Sequence, residues 1–554
     1  MLLDKKIDYK RVTFLLPYLK QYKAQCLICT LGIFFLSILA LPLPALNGKC
    51  VDLLTLGEEK NIFIICLLLM LIINLLKFVI SINAKRKIGE IGNDLVNHIK
   101  ADLTYKTMFL QMSYIDETNK GYIFSRINEC ENIRRLFSSS VVTLLLAVVE
   151  FILSFFAIFL INIKLAFVTV GFLPILFFLM KYNSKNMAKS TEEVSETTAK
   201  NSSIIVNVID SIKHIKIFNM YRLQQNKILD SMKILLNKQN QQIKWITIYS
   251  ESMQVISGLH NLLILAYAGY LIYSNEISIG IYITYVGYSS KVFGNLLSFT
   301  GFGVLINPVL VSIKRIEEFL NLKNEQDGRM QITNSVNEII FDNVCFRYTK
   351  RQSSNILNNF SYTVSKEKPI LLVGNNGTGK TTLVSLILGL YELNQGHIFL
   401  ENIDIKDLKK TQLRGCISYM SQEAGIFEGT LEENLLVGQK NKININERLE
   451  TLELYELLAG FDYNLKYPTL HNGANLSGGQ KQIISFLRVA LQDRSIIILD
   501  EPTNSLDRNA KYIFWEFIKK YCIAKKIFIL ITHDENIKCD LENENVEVIK
   551  FKTN

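Results

Sequence analysis

Apolar residues crowd into six runs before residue 304, at about 24–46, 61–82, 137–161, 165–182, 250–273 and 277–304. Each run is long enough to cross a bilayer, for which ~20 residues are needed. Pro42 and Pro44 interrupt the end of the first, a kink that a packed helical bundle tolerates. The gaps between runs alternate in length. Residues 47–60, 162–164 and 274–276 are short and carry three basic against four acidic groups. Residues 83–136 and 183–249 are long, polar, helix-like and richer in Lys and Arg, and Lys85, Arg86 and Lys87 follow the second run directly. Basic loops stay in the cytoplasm, so the pattern predicts six spans, short outside turns, and both termini and both long loops inside. A charged stretch from about 311 to 335 (KRIEEFLNLKNEQDGRM) reads as a linker, and beyond it only short strand-like and helical apolar segments occur. The expected division is a membrane domain in 1–320, a linker in 321–335 and an α/β domain in 336–554.

Composition sharpens this division. A chain of 554 residues is too long for one core. Residues 1–333 carry 35 Lys+Arg and 24 Asp+Glu, a net of +11, whereas residues 334–554 carry 26 and 27, a net of −1. The basic excess therefore belongs to the membrane half as a positive-inside signature, and no nucleic-acid partner is expected. The nine cysteines form no metal-like cluster; Cys26 and Cys29 have CxxC spacing but sit on one turn of an apolar helix. Reduced thiols fit a chain that faces the cytoplasm. The N-terminus (LLDKKIDYKRVTFLLPYLKQYK) is charged and amphipathic, which suits a segment lying along the membrane surface rather than a cleavable signal peptide.

Within the α/β half, Leu371 to Leu383 read LLVGNNGTGKTTL, a strand end, a glycine-rich turn and a helix start. Gly374 to Thr381 match the phosphate-binding P-loop, G-x-x-x-x-G-K-[ST]. Gly374, Gly377 and Gly379 let the backbone curl so that N–H groups of the loop, including those of Asn375, Asn376 and Thr378, point at phosphate oxygens. The helix N-terminus adds its positive end, next to Thr382. Lys380 is expected to reach the β and γ phosphates, and the Thr381 hydroxyl to hold Mg²⁺.

Further elements follow in order. Tyr348, in FDNVCFRYT, is a candidate ring for stacking on adenine, with a core or turn tyrosine as the alternative. Gln422, just past a strand ending at Met420, suits contact with Mg²⁺ or the attacking water. Leu476 to Gln480 read LSGGQ and open a helix; Ser477 is a plausible N-cap, and Gly478 and Gly479 permit close approach to an anion beside Gln480. A second anion-binding helix start suggests a site completed by another copy. Ile496 to Leu499 form a buried strand that delivers Asp500 and Glu501 at its C-terminal end, where α/β folds bind ligands. Asp500 suits Mg²⁺ held through water, and Glu501 suits a general base for water attacking the γ phosphate. His533 ends the strand FILITH, placed to bond the γ phosphate.

With GNNGTGKT at 374–381, Gln422, LSGGQ at 476–480, ILDEPTNSLD at 498–507 and His533, the whole chain resembles an ABC exporter of the half-transporter type. ENIDIKDL (401–408) and GTLEENL (429–435) look like the same family, as do YIDETNKGYIFSRINECENI (114–133) and ISIGIYITYVGY (277–288) in the membrane half. Two departures are small: Ser421 precedes Gln422 where the family often has proline, and Pro369 stands where glycine is common. The resemblance implies an α-helical six-span membrane domain followed by an α/β P-loop NTPase domain, in the cytoplasmic membrane. It implies ATP and Mg²⁺ as cofactors. It also implies a homodimer with two ATP molecules, each held between the P-loop of one copy and LSGGQ of the other. No motif is degenerate, so two competent sites are expected rather than a pairing with a different chain.

Cargo is less legible. Glu150 lies in mid-span (LLLAVVEFILSFF), where an ionisable residue costs ~2.5–3.5 kcal/mol on insertion scales. It reads either as a transport-site residue or as a packing partner for Lys77. His260, Asn261 and Asn74 are candidates to line the same cavity. Export of a peptide or an amphipathic, antibiotic-like small molecule leads; flipping of a lipid or lipid-linked glycan comes second. A regulatory or channel protein on the same scaffold is disfavoured by intact catalytic motifs, and a soluble ATPase is excluded by six spans. Residues near 111–122 and 207–219 are the candidate elements coupling the two halves.

Overall fold

The computed structural model describes residues 13–56, 60–118, 120–332, 336–348, 355–375, 377–439, 443–523, 525–532 and 546–551. Two sequence expectations, Asn376 and His533, lie outside these residues, as do the first twelve of the amphipathic N-terminus. The chain divides into two compact units, one of Met1–Met108 with Lys120–Leu322, the other of Phe109–Asn119 with Lys323–Asn554.

The first unit is a helical, six-span membrane domain. Five helical stretches among the described residues are long and apolar enough to cross a bilayer: Thr13–Thr55, Lys60–Met108, Gly121–Ile161, Ile163–Asp210 and Tyr221–Tyr273. The sixth long helix is Ile279–Leu320. Several run far beyond what a membrane needs. The 48 residues of Ile163–Asp210 span about 72 Å at 1.5 Å per residue, against a hydrocarbon layer of ~30 Å.

Two element ends differ from expectation. The first span does not stop near residue 46; its helix breaks at Leu41 and resumes over Pro42–Leu56. Pro42 and Pro44 have no N–H to donate to the carbonyls of Ile38 and Ala40, so the ladder must find other donors. The N–H of Leu41 donates to Ile38 O at 3.1 Å. Lys291 Nζ donates to Ala40 O at 2.7 Å, and the Tyr288 hydroxyl donates to Leu41 O at 2.5 Å. The break is therefore repaired from the sixth helix. The charged stretch from 311 also stays helical to Leu320, because Val309, Ile313, Ile316 and Phe319 are spaced to one face and buried.

The helices Pro42–Leu56 and Ile279–Leu320 cross with backbones almost touching. A Cβ at Gly280 would lie 2.2 Å from Gly48 O, and one at Gly48 would lie 2.2 Å from Gly280 O. Asp52 caps the second helix, accepting from Ser278 Oγ at 2.7 Å and from Gly280 N at 2.6 Å. A buried polar cluster joins three helices elsewhere in the unit. Thr169 Oγ1 lies 3.1 Å from His260 Nε2 and 2.6 Å from Tyr285 OH, and Ser289 Oγ lies 3.3 Å from the same His260 nitrogen. His260 is thus a satisfied core residue, while Asn74 and Asn261 are exposed and Asn74 Nδ2 donates to its own helix at Met70 O. His260 Nδ1 lies 3.4 Å from Asn261 Oδ1, so these two are neighbours.

Among its described residues the second unit holds two larger sheets and a two-stranded one that pairs Gly429–Thr430 with Pro468–Thr469. Five parallel strands run in the order Glu547–Phe551, Ile370–Gly374, Ile527–Ile531, Ile496–Asp500 and Ile417–Met420. Four antiparallel strands run in the order Leu357–Ser365, Glu338–Phe346, Gln395–Leu400 and Ile403–Asp404. Period-two alternation gives the parallel sheet a core on each face. Ile496, Ile498, Ile527 and Ile529 join one core with the P-loop helix; Ile497, Leu499, Phe528 and Leu530 join the other with the helix Gly478–Gln492. The segment 109–119 folds with this unit. Its short helix Met112–Glu117 is held by Gln111 Nε2 donating to Glu392 Oε1 at 2.8 Å and by the Tyr391 hydroxyl donating to the Asp116 carboxylate.

The Gly48–Gly280 crossing yields a test. Gly280→Val is expected to wedge the helices apart at a cost of about 1–3 kcal/mol, lowering the midpoint of heat-induced unfolding of the purified protein. An unchanged midpoint would mean that the crossing is not close.

Candidate functional site

The parallel strands Ile370–Gly374 and Ile496–Asp500 flank the strand Ile527–Ile531, and their C-terminal ends open onto the same edge of the sheet. The loop after the first turns on Gly377 (φ +81°) and Gly379 (φ +99°), left-handed conformations that favour glycine. A Cβ at Gly379 would also lie 2.8 Å from Ile356 Cγ2. The helix Lys380–Ile387 starts at this point. Thr378 Oγ1 donates to Asn375 O at 2.9 Å and closes the loop.

Lys380 folds back over the loop, where its Nζ donates to Gly374 O at 2.6 Å and to Asn375 O at 2.9 Å. Burial pushes its ammonium below the usual lysine range, and the nearby carboxylates of Glu501 and Asp500 oppose that shift. Thr381 Oγ1 donates to Asp500 Oδ2 at 3.0 Å. A hydroxyl and a carboxylate side by side are hard oxygen donors, the chemistry that suits Mg²⁺ shared with phosphates. Among the described residues no group of three or more His, Cys, Asp or Glu is arranged to hold a metal ion, so phosphate oxygens would have to complete the set.

Glu501 is buried at 5% exposure and adopts φ +50°, a left-handed conformation that is uncommon outside glycine. Its N–H donates to Ile531 O at 2.9 Å, and its carbonyl accepts from Gln482 Nε2 at 3.4 Å. Gln482 Oε1 in turn accepts from Ser505 N at 2.8 Å. Gln482 was not singled out from sequence; its place two residues after the signature was the available signal.

Tyr348 packs edge-on against Phe346 and Tyr391, with ring centroids 5.0 and 5.1 Å away. Its hydroxyl lies 3.0 Å from Thr382 Oγ1, which sets the ring beside the P-loop helix. Gln422 is exposed in the loop after Ile417–Met420. At the signature, Ser477 and Gln480 form a reciprocal capping box: Ser477 Oγ accepts from Gln480 N at 3.2 Å, and Gln480 Oε1 accepts from Ser477 N at 2.9 Å. Gln480 Nε2 also donates to Gly460 O at 2.7 Å. A Cβ at Gly479 would lie 2.7 Å from Ser505 O. The structure therefore brings Lys380, Thr381, Asp500 and Glu501 together. Among the described residues no hydrogen bond joins Ser477–Gln480 to 374–382.

The family of the ABC transporter transmembrane region matches residues 26–296, and the ABC transporter family matches residues 357–504. A Bacillus subtilis (strain 168) protein, YgaD, provisionally named as a multidrug export ATP-binding/permease protein, is 24% identical over 97% of this chain and 95% of its own length. An ATP-dependent lipid A-core flippase of Wigglesworthia glossinidia brevipalpis is 27% identical over 76% of this chain and 73% of its own. The solved structure of a bacterial Atm1-family ABC exporter with ATP bound shares the fold, with a TM-score of 0.80, 16% identity, and coverage of 96% of this chain and 94% of that one.

The tight fit at the signature is testable. Gly479→Ala is expected to displace the Ser505 carbonyl and lower maximal ATP hydrolysis about tenfold, while binding of nucleotide to the P-loop is retained. Full hydrolysis in this variant would show that the Gly479–Ser505 contact is not needed.

Proposed function

The chain belongs to the ABC transporter family, a transmembrane region fused to one ATPase domain that drives export, and from that premise we propose a homodimer that moves an amphipathic cargo out across the cytoplasmic membrane. The observation that carries the motor reading is the convergence of Lys380, Thr381, Asp500 and Glu501 at the ends of neighbouring strands.

The roles follow from chemistry. Gly374, Asn375, Asn376, Gly377, Thr378 and Gly379 offer backbone N–H groups to phosphates, with Thr382 beside them and Tyr348 under the adenine. Lys380 leaves its two carbonyl partners for phosphate oxygens. Thr381 and Asp500, with Gln422, are the proposed holders of Mg²⁺, which when bound neutralises charge developing on the phosphates. Glu501 takes the proton of the attacking water, and His533 bonds the γ phosphate. Ser477, Gly478, Gly479 and Gln480 serve the site of the second copy, since among the described residues no hydrogen bond joins them to the P-loop. A homodimer then has two equal sites. Residues near 111–122, of which those up to 119 fold with the ATPase unit, and residues near 207–219, which include the short helix Ile212–Ile217 in the membrane unit, are the proposed coupling elements.

For the cargo, Lys291 lies within Coulombic reach of both Glu150 and Lys77 inside the membrane unit. Three ionisable groups in one intramembrane neighbourhood favour a transport role for Glu150 over simple packing with Lys77. This supports a peptide or an antibiotic-like small molecule bearing polar groups. The second reading, a lipid or lipid-linked glycan, draws on the two lysines and on the flippase relative.

ATP hydrolysis in lipid nanodiscs tests both levels. Glu501→Gln is expected to lower turnover at least about a hundredfold while ATP still binds; vigorous residual hydrolysis removes Glu501 as the base. Peptides or amphipathic drugs are expected to stimulate the unaltered protein whatever the lipid, whereas stimulation by one lipid alone puts the flippase reading first. Glu150→Gln is expected to leave unstimulated hydrolysis within about twofold and to change the response to cargo. An unchanged response to every cargo that stimulates the parent makes Glu150 structural.

A further inference from the structure

Arg488 lies on the helix Gly478–Gln492, eleven residues beyond Ser477 and roughly 16 Å further along the helix axis at 1.5 Å per residue. Its guanidinium is spent on oxygens outside that helix. Nε donates to Asn434 O at 2.9 Å, Nη2 donates to Asn434 Oδ1 at 3.2 Å, and Nη1 donates to Gly425 O at 3.0 Å. The Phe427 ring lies 6.0 Å from the guanidinium carbon. Gly425 is three residues after Gln422 and belongs to the same loop.

Asn434 is buried at 1% exposure and makes this loop a closed structure. Its Oδ1 also accepts from Phe427 N at 2.9 Å. Its Nδ2 donates to Phe427 O at 2.8 Å, to Thr430 O at 3.1 Å and to Thr469 Oγ1 at 3.0 Å. Thr469 Oγ1 donates to Phe427 O at 2.9 Å. The segment 425–434 is thus one hydrogen-bonded knot, and Arg488 is the rod that fastens it to the signature helix.

The chemistry of the contact is specific. Among the described residues no carboxylate within ion-pair distance neutralises Arg488; its donors all meet carbonyl or amide oxygens in directions set by the planar fork. A lysine keeps the charge but offers a point donor that cannot span Gly425 and Asn434 at once. Plain capping of the short helix Leu431–Leu435 accounts for the bond to Asn434 O but not for the bonds to Asn434 Oδ1 and Gly425 O.

Resting on the proposed roles of Gln422 and the signature, we infer that Arg488 is a positioning residue that ties the Gln422 loop to the signature helix, so that a change at one is delivered to the other. In the proposed dimer each signature serves the partner's nucleotide. Arg488 then links the loop that senses one site to the helix that completes the other.

The test is a double-mutant cycle on the full chain in nanodiscs, reading kcat and KM for ATP. Arg488→Lys is expected to lower kcat about tenfold with KM within about twofold, and to add less than about twofold when Gln422→Ala is already present. Equal losses in both backgrounds, or a KM that rises in step with the loss of kcat, overturn the inference. A second measurement leaves Arg488 intact and so does not depend on how its variants fold. In ATP-loaded Glu501→Gln protein, adding Gln422→Ala at its exposed position is expected to change amide exchange over 484–492 as well as in its own loop. Unchanged exchange over 484–492 overturns it too. If Glu501→Gln alone fails to stop hydrolysis, the reading of the site fails instead, whatever Arg488 does.

Discussion

Because the strand Ile496–Asp500 is buried along its whole length, it can release charge only at its C-terminal end, and the layout of the ATPase site follows from that restriction. Neighbours on both sides and packed cores on both faces leave no room for a carboxylate at Ile496 to Leu499. Asp500 and Glu501 therefore appear where the strand stops, on the edge where the parallel strand Ile370–Gly374 turns into its glycine loop. The same edge brings Thr381 within a hydrogen bond of Asp500 and Lys380 under the influence of both acids. Electrostatics alone would drive these groups toward water. The sheet overrides that preference, since a hydrophobic strand of four apolar residues is worth several kcal/mol of burial.

The membrane unit obeys a related rule with the solvent changed. In hydrocarbon, a carbonyl without a donor has no water to turn to, so each break in a helix must be answered by another side chain. Two prolines free the Ala40 and Leu41 region from its own ladder, and Lys291 and Tyr288 answer from the sixth helix. The answer has a side effect: it places the Lys291 side-chain nitrogen inside the membrane unit, within electrostatic reach of Glu150 and Lys77. A backbone repair and a candidate cargo site thus share one residue. Close backbone packing at Gly48 and Gly280, with Asp52 on the helix start, fixes the neighbouring turn of the same crossing.

Much of this was legible in the sequence because it depends on local period and spacing. Long apolar runs marked each span, and the P-loop, LSGGQ and the acidic pair were readable as fixed words set between strand and helix patterns. What was not legible depends on partners distant in sequence. Nothing near Pro42 announces that Lys291 will supply the missing donor, so the helix was expected to end ten residues early. His260 looked like a cavity residue until three helices closed around it. Charged letters from 314 to 318 hid the buried stripe of Ile313, Ile316 and Phe319. Gln482 and Arg488 carry no motif of their own, and their roles exist only through hydrogen bonds across 19 to 63 residues of chain.

The two halves of the nucleotide machinery in one chain are finished to different degrees. At the P-loop, Lys380 has placeholders in Gly374 O and Asn375 O, and Thr381 has one in Asp500. At the signature, the capping box satisfies Ser477 and Gln480, and Gly479 is pressed against Ser505. Both ends are shaped for anions, yet no hydrogen bond among the described residues joins them. Under the proposed dimer that separation is the working principle. A site assembled from two copies binds its phosphates fully only when the copies close, so the energy of binding appears as motion and not merely as affinity. For that motion to be shared, the loop at one site must be mechanically continuous with the helix that serves the other. The bond from Arg488 to Gly425 is one such connection.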